Sequence, residues 1–405
     1  MSKAACWWGV WLLLLAGCTR DPGPGLLVPA QWVGTWATAP QPAMPGALET
    51  FHDQQLRLIV HTSVGGSQVR IRVSNLYGTD PLHLEAAHAG AVQLHFRGAP
   101  SVNIAPGATV TSDAALLELP PLADLAVTLR LSGTVQAATS HLLALQTSSV
   151  SAPGAAPDGP FVAAANITTW PFLVGVDVVA AVPGTRAVVV FGDSTVDGDG
   201  STAGENRRWP DYLARNLNAT GSGAGVLNLG IIGNRLLHDS PGNADFGAAL
   251  GEAGIRRFQR DVLNQPGVAT VIVRLGVNDL GFPGTVEPHA PAVDARQLLA
   301  GYEQLVARAH QRGVRIFVTT ITPFGGTQLF EGFHTPAKER VREQVNAALR
   351  ASKAFDGVID ADAVLRDPAQ PSKLLAAYDS GDHLHPNDAG SARLAAAMPA
   401  DLTTR

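Results

Sequence analysis

Two rhythms of apolar residues divide this chain. From Trp32 to about Val182, apolar and polar positions alternate, as in Val69-Arg70-Ile71-Arg72-Val73 and Val127-Thr128-Leu129-Arg130-Leu131, which is the period of a strand with one face in water. Further runs at residues 56–63, 82–88, 91–96, 114–119, 142–147 and 172–179 give too many strands for one covered sheet. The pattern predicts a β-sandwich over residues 32–182. Gly65-Gly66, between two of these runs, predicts a hairpin turn at positive φ. Residues 149–160, rich in Pro and Gly, read as a long loop, and the boundary of the next region is placed at Pro183-Gly184.

From Ala187 the rhythm changes. An unbroken apolar run at 187–191 and further strand-like runs at 225–229, 270–275, 315–321 and 357–359 alternate with helical spacing at 210–218, 248–263, 298–309, 336–353 and 387–398. Runs without polar alternation are strands covered on both faces, and strands alternating with helices make a parallel sheet. Residues 183–405 are therefore expected to form a five-stranded, flavodoxin-like αβα sandwich.

Ligands meet such a sheet at the carboxyl ends of its strands, and the first run stops there at Gly192-Asp193-Ser194. A nucleophilic serine needs a base, an acid to orient that base, and donors for the oxyanion. Asp382 and His385, three apart in Asp382-His383-Leu384-His385, can set a carboxylate against one ring nitrogen and leave the other for Ser194. The Asn278 amide and the backbone N–H groups of Gly233 and Ser194 are the candidate oxyanion donors. Ser194 alone reads more readily as a helix cap, and the other three blocks turn the balance.

Taken together, Gly-Asp-Ser at 192–194, Asn-Leu-Gly-Ile-Ile-Gly at 228–233, Gly-Val-Asn-Asp at 276–279 and Asp-His-Leu-His at 382–385 resemble the SGNH branch of the GDSL esterase/lipase family. The resemblance implies a serine esterase with Ser194 as nucleophile, His385 as base, Asp382 as its partner, and Gly233 and Asn278 as oxyanion donors. No cofactor is implied. Val196 stands where a Gly-x-Ser-x-Gly elbow would have its last glycine, which argues against an ordinary α/β-hydrolase. Asp193 and Asp279 are expected to brace turns. Trp209, Arg235 and His383 are weaker candidates for substrate contact. His383 and His385 with Asp382 also invite a metal, but no third firm ligand or His-Glu-x-x-His helix accompanies them, so no metal site is assigned.

The β-region ahead of such a domain, with Trp32-Val33-Gly34-Thr35-Trp36-Ala37-Thr38-Ala39-Pro40 at its start and Tyr378-Asp379-Ser380-Gly381-Asp382-His383-Leu384-His385-Pro386 near the end of the chain, resembles exported bacterial esterases associated with polysaccharide deacetylation. That favours short acyl groups, acetyl above all, on a carbohydrate, with small acylated molecules as the other substrate class. A broad arylesterase or lysophospholipase is the rival hydrolase. A sugar O-acetyltransferase on the same scaffold, or a surface carbohydrate-binding protein working through the sandwich, are the rivals from other classes.

The formal charge of −5 at pH 7, with no basic cluster, lacks the footprint of nucleic-acid binding. The opening residues add a location: Lys3, an apolar run from Ala4 to Ala16, then Leu15-Ala16-Gly17-Cys18. The run is short for a spanning helix, and its ending resembles a bacterial lipoprotein signal over residues 1–17. Cys18 would then carry lipid, and residues 18–31 would form a tether from membrane to fold. Thr19 in place of an acidic residue leans toward the outer membrane. With Cys6 removed in the signal, no disulfide pair remains, since the chain has only two cysteines.

Overall fold

The computed structural model describes residue 1, residues 31–155 and residues 160–403. The leader beyond Met1, Cys18 and all of the tether but Gln31 lie outside the described residues.

Among the described residues the alternating region forms two short antiparallel pairs, Thr50–His52 with Thr134–Gln136 and Gln41–Pro42 with Thr139–Ser140, and two large antiparallel sheets. One orders its strands Trp32–Ala37, Leu173–Ala180, Gly66–Ser74 and Ala115–Leu119, with Thr109–Thr111 also on Gly66–Ser74. The other runs Ala163–Ile167, Ser148–Ser151, Gln55–His61, Asp124–Leu131, Leu82–Ala89 and Val92–Leu94, with Val102–Ile104 on Leu82–Ala89. In Gly66–Ser74 the valines and isoleucine at 69, 71 and 73 are fully buried, while Arg70 and Arg72 point to the other face, half-buried and paired with Asp177. The period read from the sequence is thus the period of burial.

The Gly65-Gly66 hairpin does not form. The strand before it, Gln55–His61, belongs to the second sheet, and the strand after it belongs to the first. Neither glycine has positive φ. A Cβ at Gly65 would lie 2.4 Å from the carbonyl oxygen of Leu119, and one at Gly66 2.4 Å from that of Val179. Close backbone approach where the chain changes sheets, not a tight turn, requires glycine there.

The second region is a five-stranded parallel sheet ordered Gly225–Gly230, Ala187–Gly192, Val268–Arg274, Arg315–Thr319, Gly357–Ile359. The strand Ala187–Gly192 explains its unbroken apolar run: Ala187, Val189 and Phe191 enter one core and Val188 and Val190 the other. Helices Ala295–Gln311 and Pro336–Ala351 bury Leu298, Tyr302, Leu305, Val345 and Leu349. Asp294 and Thr335 cap them, each accepting a backbone N–H three residues on.

One expected helix is cut short. The span 248–263 becomes a loop up to Ala253, then helix Gly254–Phe258 and a wider turn Gln259–Leu263. Gly247 and Gly251 take positive φ and close the loop through Gly242 N–H to Gly247 O (2.9 Å) and Ser240 N–H to Gly251 O (2.8 Å). This loop carries Phe246 and Leu250 to the cavity beside Ser194.

Gln31–Arg405 form one compact unit. Trp32–Ala37 packs along Gly225–Gly230. Gly34 N–H bonds Pro266 O at 2.9 Å, and Val226 N–H bonds the Ser63 hydroxyl at 2.8 Å. One apolar core runs from Trp36, Leu58 and Ile71 of the sandwich to Val189, Phe191 and Leu227 of the parallel sheet. Among the described residues no helix is long and apolar enough to cross a membrane.

Candidate active site

Strand register brings the motifs to one edge. Gly192 lies level with Gly230 on one side and Arg274 on the other. The segments after these strands therefore emerge together: Ser194, the turn Ile231–Gly233, and the short helix Val277–Gly281. Buried Arg257 ties two of these ends by donating to Gly192 O (2.9 Å) and Leu229 O (3.0 Å). Ser194 opens the helix Ser194–Asp197, capped by Asp193, whose carboxylate accepts from Thr195 N–H (3.0 Å) and its hydroxyl (2.7 Å). As expected of a brace, Asp193 faces the turn rather than the reacting centre.

The loop before the last helix carries Asp382 and His385 to Ser194. Asp382 Oδ1 accepts the backbone N–H groups of Leu384 (2.9 Å) and His385 (2.8 Å), which leaves Oδ2 aimed at His385 Nδ1, 2.5 Å away. His385 Nε2 lies 2.8 Å from Ser194 Oγ. With Nδ1–H donating to Asp382, Nε2 is free to accept the serine proton. Burial disfavours the charged imidazolium, but the Asp382 hydrogen bond and the negative fields of Asp199, Asp382 and Asp193 outweigh it, so the His385 pKa is raised. Burial pushes Asp382 up as well, yet the His385 hydrogen bond and charge, with two backbone donors, hold it well below the usual carboxylate range.

On the other side of Ser194 stand Gly233 and Asn278. Gly233 takes φ +70°, and a Cβ there would lie 2.8 Å from a methyl of Leu250. Asn278 donates one amide hydrogen to Asn234 O at 3.0 Å, and the residue lines the cavity beside Ser194. Buried Asp279 accepts from Leu236 N–H (2.7 Å) and Leu237 N–H (2.9 Å). Burial raises its pKa to about 6 against the pull of those two donors. It braces the turn after Gly233.

Ser194, His385, Gly233 and Asn278 line a cavity of about 220 Å³. Its other walls are Met44, Ile232, Phe246, Leu250, Phe282, Leu329, Phe330, Phe333 and Leu384, with Asp199 as the remaining polar residue. The three weaker candidates lie elsewhere. Trp209 is 1% exposed in the opposite core, packed with Val188, Val190 and Leu213, because the first turn of its helix faces the sheet. Arg235 is buried behind the wall, paired with Glu287 and 5.4 Å from the Phe282 ring. His383 turns to Asp379, with Nδ1 2.5 Å from Oδ2, at a positive φ of 65° that points it away from His385. Among the described residues no group of three or more His, Cys, Asp or Glu is placed to hold a metal ion.

Two features of the site are not foreseen from the sequence. Asp199, five residues past the nucleophile, holds Oδ2 3.7 Å from His385 Nε2 and is oriented by accepting Gly200 N–H at 3.0 Å. An acid between two glycines so near Ser194 was the available signal. The apolar walls come from loops, which carry no periodicity to read.

The sequence matches the GDSL-like lipase/acylhydrolase family over residues 190–393, half of the chain. No curated protein matches. Among solved structures, a carbohydrate acetylesterase family member from Sinorhizobium meliloti aligns at 19% identity over 53% of this chain and 95% of its own, with a TM-score of 0.39. A GDSL-like lipase from Bacteroides thetaiotaomicron aligns at 17% identity over 52% and 84%, TM-score 0.37. An aryl esterase from M. smegmatis aligns at 17% over 53% and 96%, TM-score 0.38. With a family match that takes in both the strand leading to Ser194 and the loop of His385, the chain belongs to the GDSL-like lipase/acylhydrolase family and is a carboxylic ester hydrolase.

Proposed function

We propose that the protein is a serine esterase acting through Ser194, His385 and Asp382 on esters with an apolar acyl group larger than acetyl. The hydrogen-bonded line from Ser194 Oγ through His385 to Asp382, at the floor of the apolar cavity, carries this reading. As Ser194 Oγ attacks the ester carbonyl, His385 Nε2 takes its proton. The oxyanion is received by the N–H groups of Ser194 and Gly233 and by the Asn278 amide. His385 then protonates the leaving alcohol, and water repeats the sequence on the acyl-enzyme.

The cavity sets the acyl preference. Nine apolar side chains and some 220 Å³ are more than an acetyl group fills, and burying further methylenes is favourable at about 0.8 kcal/mol each. The preference for acetyl drawn from the resemblance therefore shifts to longer chains. The carbohydrate part of that reading keeps support on the alcohol side, because the leaving oxygen must sit beside His385 Nε2, where Asp199 offers a carboxylate to a neighbouring hydroxyl. Export with lipid on Cys18 is also proposed; residues 1–18 support it.

Turnover of p-nitrophenyl esters from acetate to decanoate, run beside acetylated polysaccharides and a Ser194→Ala control, tests the proposal. Medium chains are expected to exceed acetate by about tenfold or more in kcat/KM. A sharp acetate optimum would overturn the acyl assignment, and activity retained by Ser194→Ala would end the serine mechanism.

A further inference from the structure

We infer that His141, from the β-sandwich, is a positioning residue of the hydrolytic site: through Asp197 it fixes the Ile232–Gly233 turn that carries an oxyanion donor. The inference rests on the proposed esterase function and gives the β-region a part in the chemistry.

The chain of contacts is short and buried. His141 is 1% exposed and Asp197 2%. His141 Nδ1 lies 3.0 Å from the carbonyl oxygen of Ala39, and its ring stacks on Trp170 with centroids 5.6 Å apart. The sandwich thus holds the ring from two sides. Its Nε2 lies 2.9 Å from Asp197 Oδ1. Asp197 is the last residue of the nucleophile helix, and its other oxygen accepts the N–H of Ile232 at 3.1 Å. Ile232 immediately precedes Gly233.

One carboxylate therefore joins three things: the helix that begins at Ser194, the turn that carries the Gly233 N–H, and a side chain of the other region. A second clamp on the same helix, Asn228 Nδ2 to Val196 O at 2.8 Å, fixes the strand but not the turn beyond it. Without His141, the buried Asp197 carboxylate loses one of its two hydrogen-bond partners and keeps the Ile232 N–H and the field of buried Arg208. A buried carboxylate short of a hydrogen bond is drawn toward other donors or water. That shift loosens the Ile232 end of the turn, which Ile231 N–H to Gly192 O at 3.2 Å and Asn234 N–H to Ile231 O at 3.1 Å tie only on either side, and oxyanion stabilisation depends on donors fixed before the charge develops.

The same region also builds the substrate wall. Met44 lines the cavity, and Gln41 Nε2 donates to Ala249 O at 2.7 Å, inside the loop that carries Phe246 and Leu250. Gln41 and His141 are neighbours, since Gln41 Oε1 accepts Leu142 N–H at 3.1 Å.

The test compares His141→Ala and His141→Gln in the full chain, using p-nitrophenyl butyrate and a boronic acid that mimics the tetrahedral intermediate. Alanine is expected to lower kcat by roughly 10- to 100-fold with KM within about threefold, and to weaken the boronic acid by the same factor as kcat. Glutamine, whose amide reaches Asp197, should recover most of both. Should the alanine variant not fold, His141→Asn, too short to reach Asp197, replaces it in the comparison. Unchanged kcat in every folded variant, or a fall in kcat without loss of boronic acid affinity, would overturn the inference. Ser194→Ala separates the two claims: if it stays active the esterase reading fails, whereas an inactive Ser194→Ala beside fully active His141 variants removes only the role of His141.

Discussion

Replacing Asn278 with alanine separates two things the side chain does at once. One amide hydrogen is committed to Asn234 O at 3.0 Å, and the other is available to the cavity beside Ser194. Loss of an oxyanion donor typically lowers kcat by about 100- to 1000-fold, or roughly 2.7–4 kcal/mol of transition-state stabilisation. Since the charge exists only after attack, KM should stay within about threefold. The lost hydrogen bond to a buried carbonyl costs about 1–3 kcal/mol of stability, a fall in Tm of roughly 1–4 °C for a unit of this size. Steady-state kinetics on p-nitrophenyl butyrate and a thermal melt read the two effects separately. Asn278→Asp keeps the size but offers only acceptors to two acceptor oxygens, so it should be no faster than alanine. A variant with full kcat, or one in which only KM rises, would show that the amide does not meet developing charge.

Groups near the nucleophile also set the pH dependence. His385 must be neutral to take the serine proton, and its pKa is raised, so kcat/KM should climb with pH through a limb above the usual histidine value of about 6.5. Asp199, 3.7 Å away, is one of the negative charges that favour imidazolium. Asp199→Asn should therefore move that limb to lower pH, and less so in high salt, because the Asp199 side chain is 37% exposed. A pH profile with an uncharged ester decides this, and a limb that stays put or rises would contradict the assigned field. Trp209→Ala should cost about 3–5 kcal/mol of stability while leaving kcat/KM of the folded protein within about threefold, as urea melts and kinetics can establish; a selective loss of activity on sugar esters would restore its place in the substrate site.

The parallel sheet was legible because burial on both faces leaves a mark in the sequence. Val188-Val189-Val190 carries no polar position since each neighbour enters a different core. The alternation at Val69–Val73 was legible for the opposite reason, with one face apolar and the other carrying the half-buried Arg70 and Arg72, which pair with Asp177 and Gln265 rather than facing open water. Gly65-Gly66 misled because glycine answers two demands that look alike in sequence, positive φ and close approach, and only the carbonyls of Leu119 and Val179 tell them apart. The helix expected from residue 248 failed at Gly251 for the first of these reasons.

The site divides the same way. Ser194, Asn278, Asp382 and His385 stand in short motifs because each must work within a fixed local turn, so the local spacing records the chemistry. The walls and supports do not. Met44, Phe246, Phe282 and Phe333 reach one cavity from loops far apart in the chain, and His141 meets Asp197 across 56 residues. Nothing in the neighbourhood of His141 in the sequence marks it, since its function depends on a partner that only the docking of the sandwich supplies. The same separation bears on the substrate: the reaction type lies in the local motifs, whereas the cavity beside Ser194 is walled by side chains gathered from both regions of the fold. Changing the loops that carry Met44 and Phe330 should therefore alter which esters react while the hydrogen bonds among Ser194, His385 and Asp382 stay as they are.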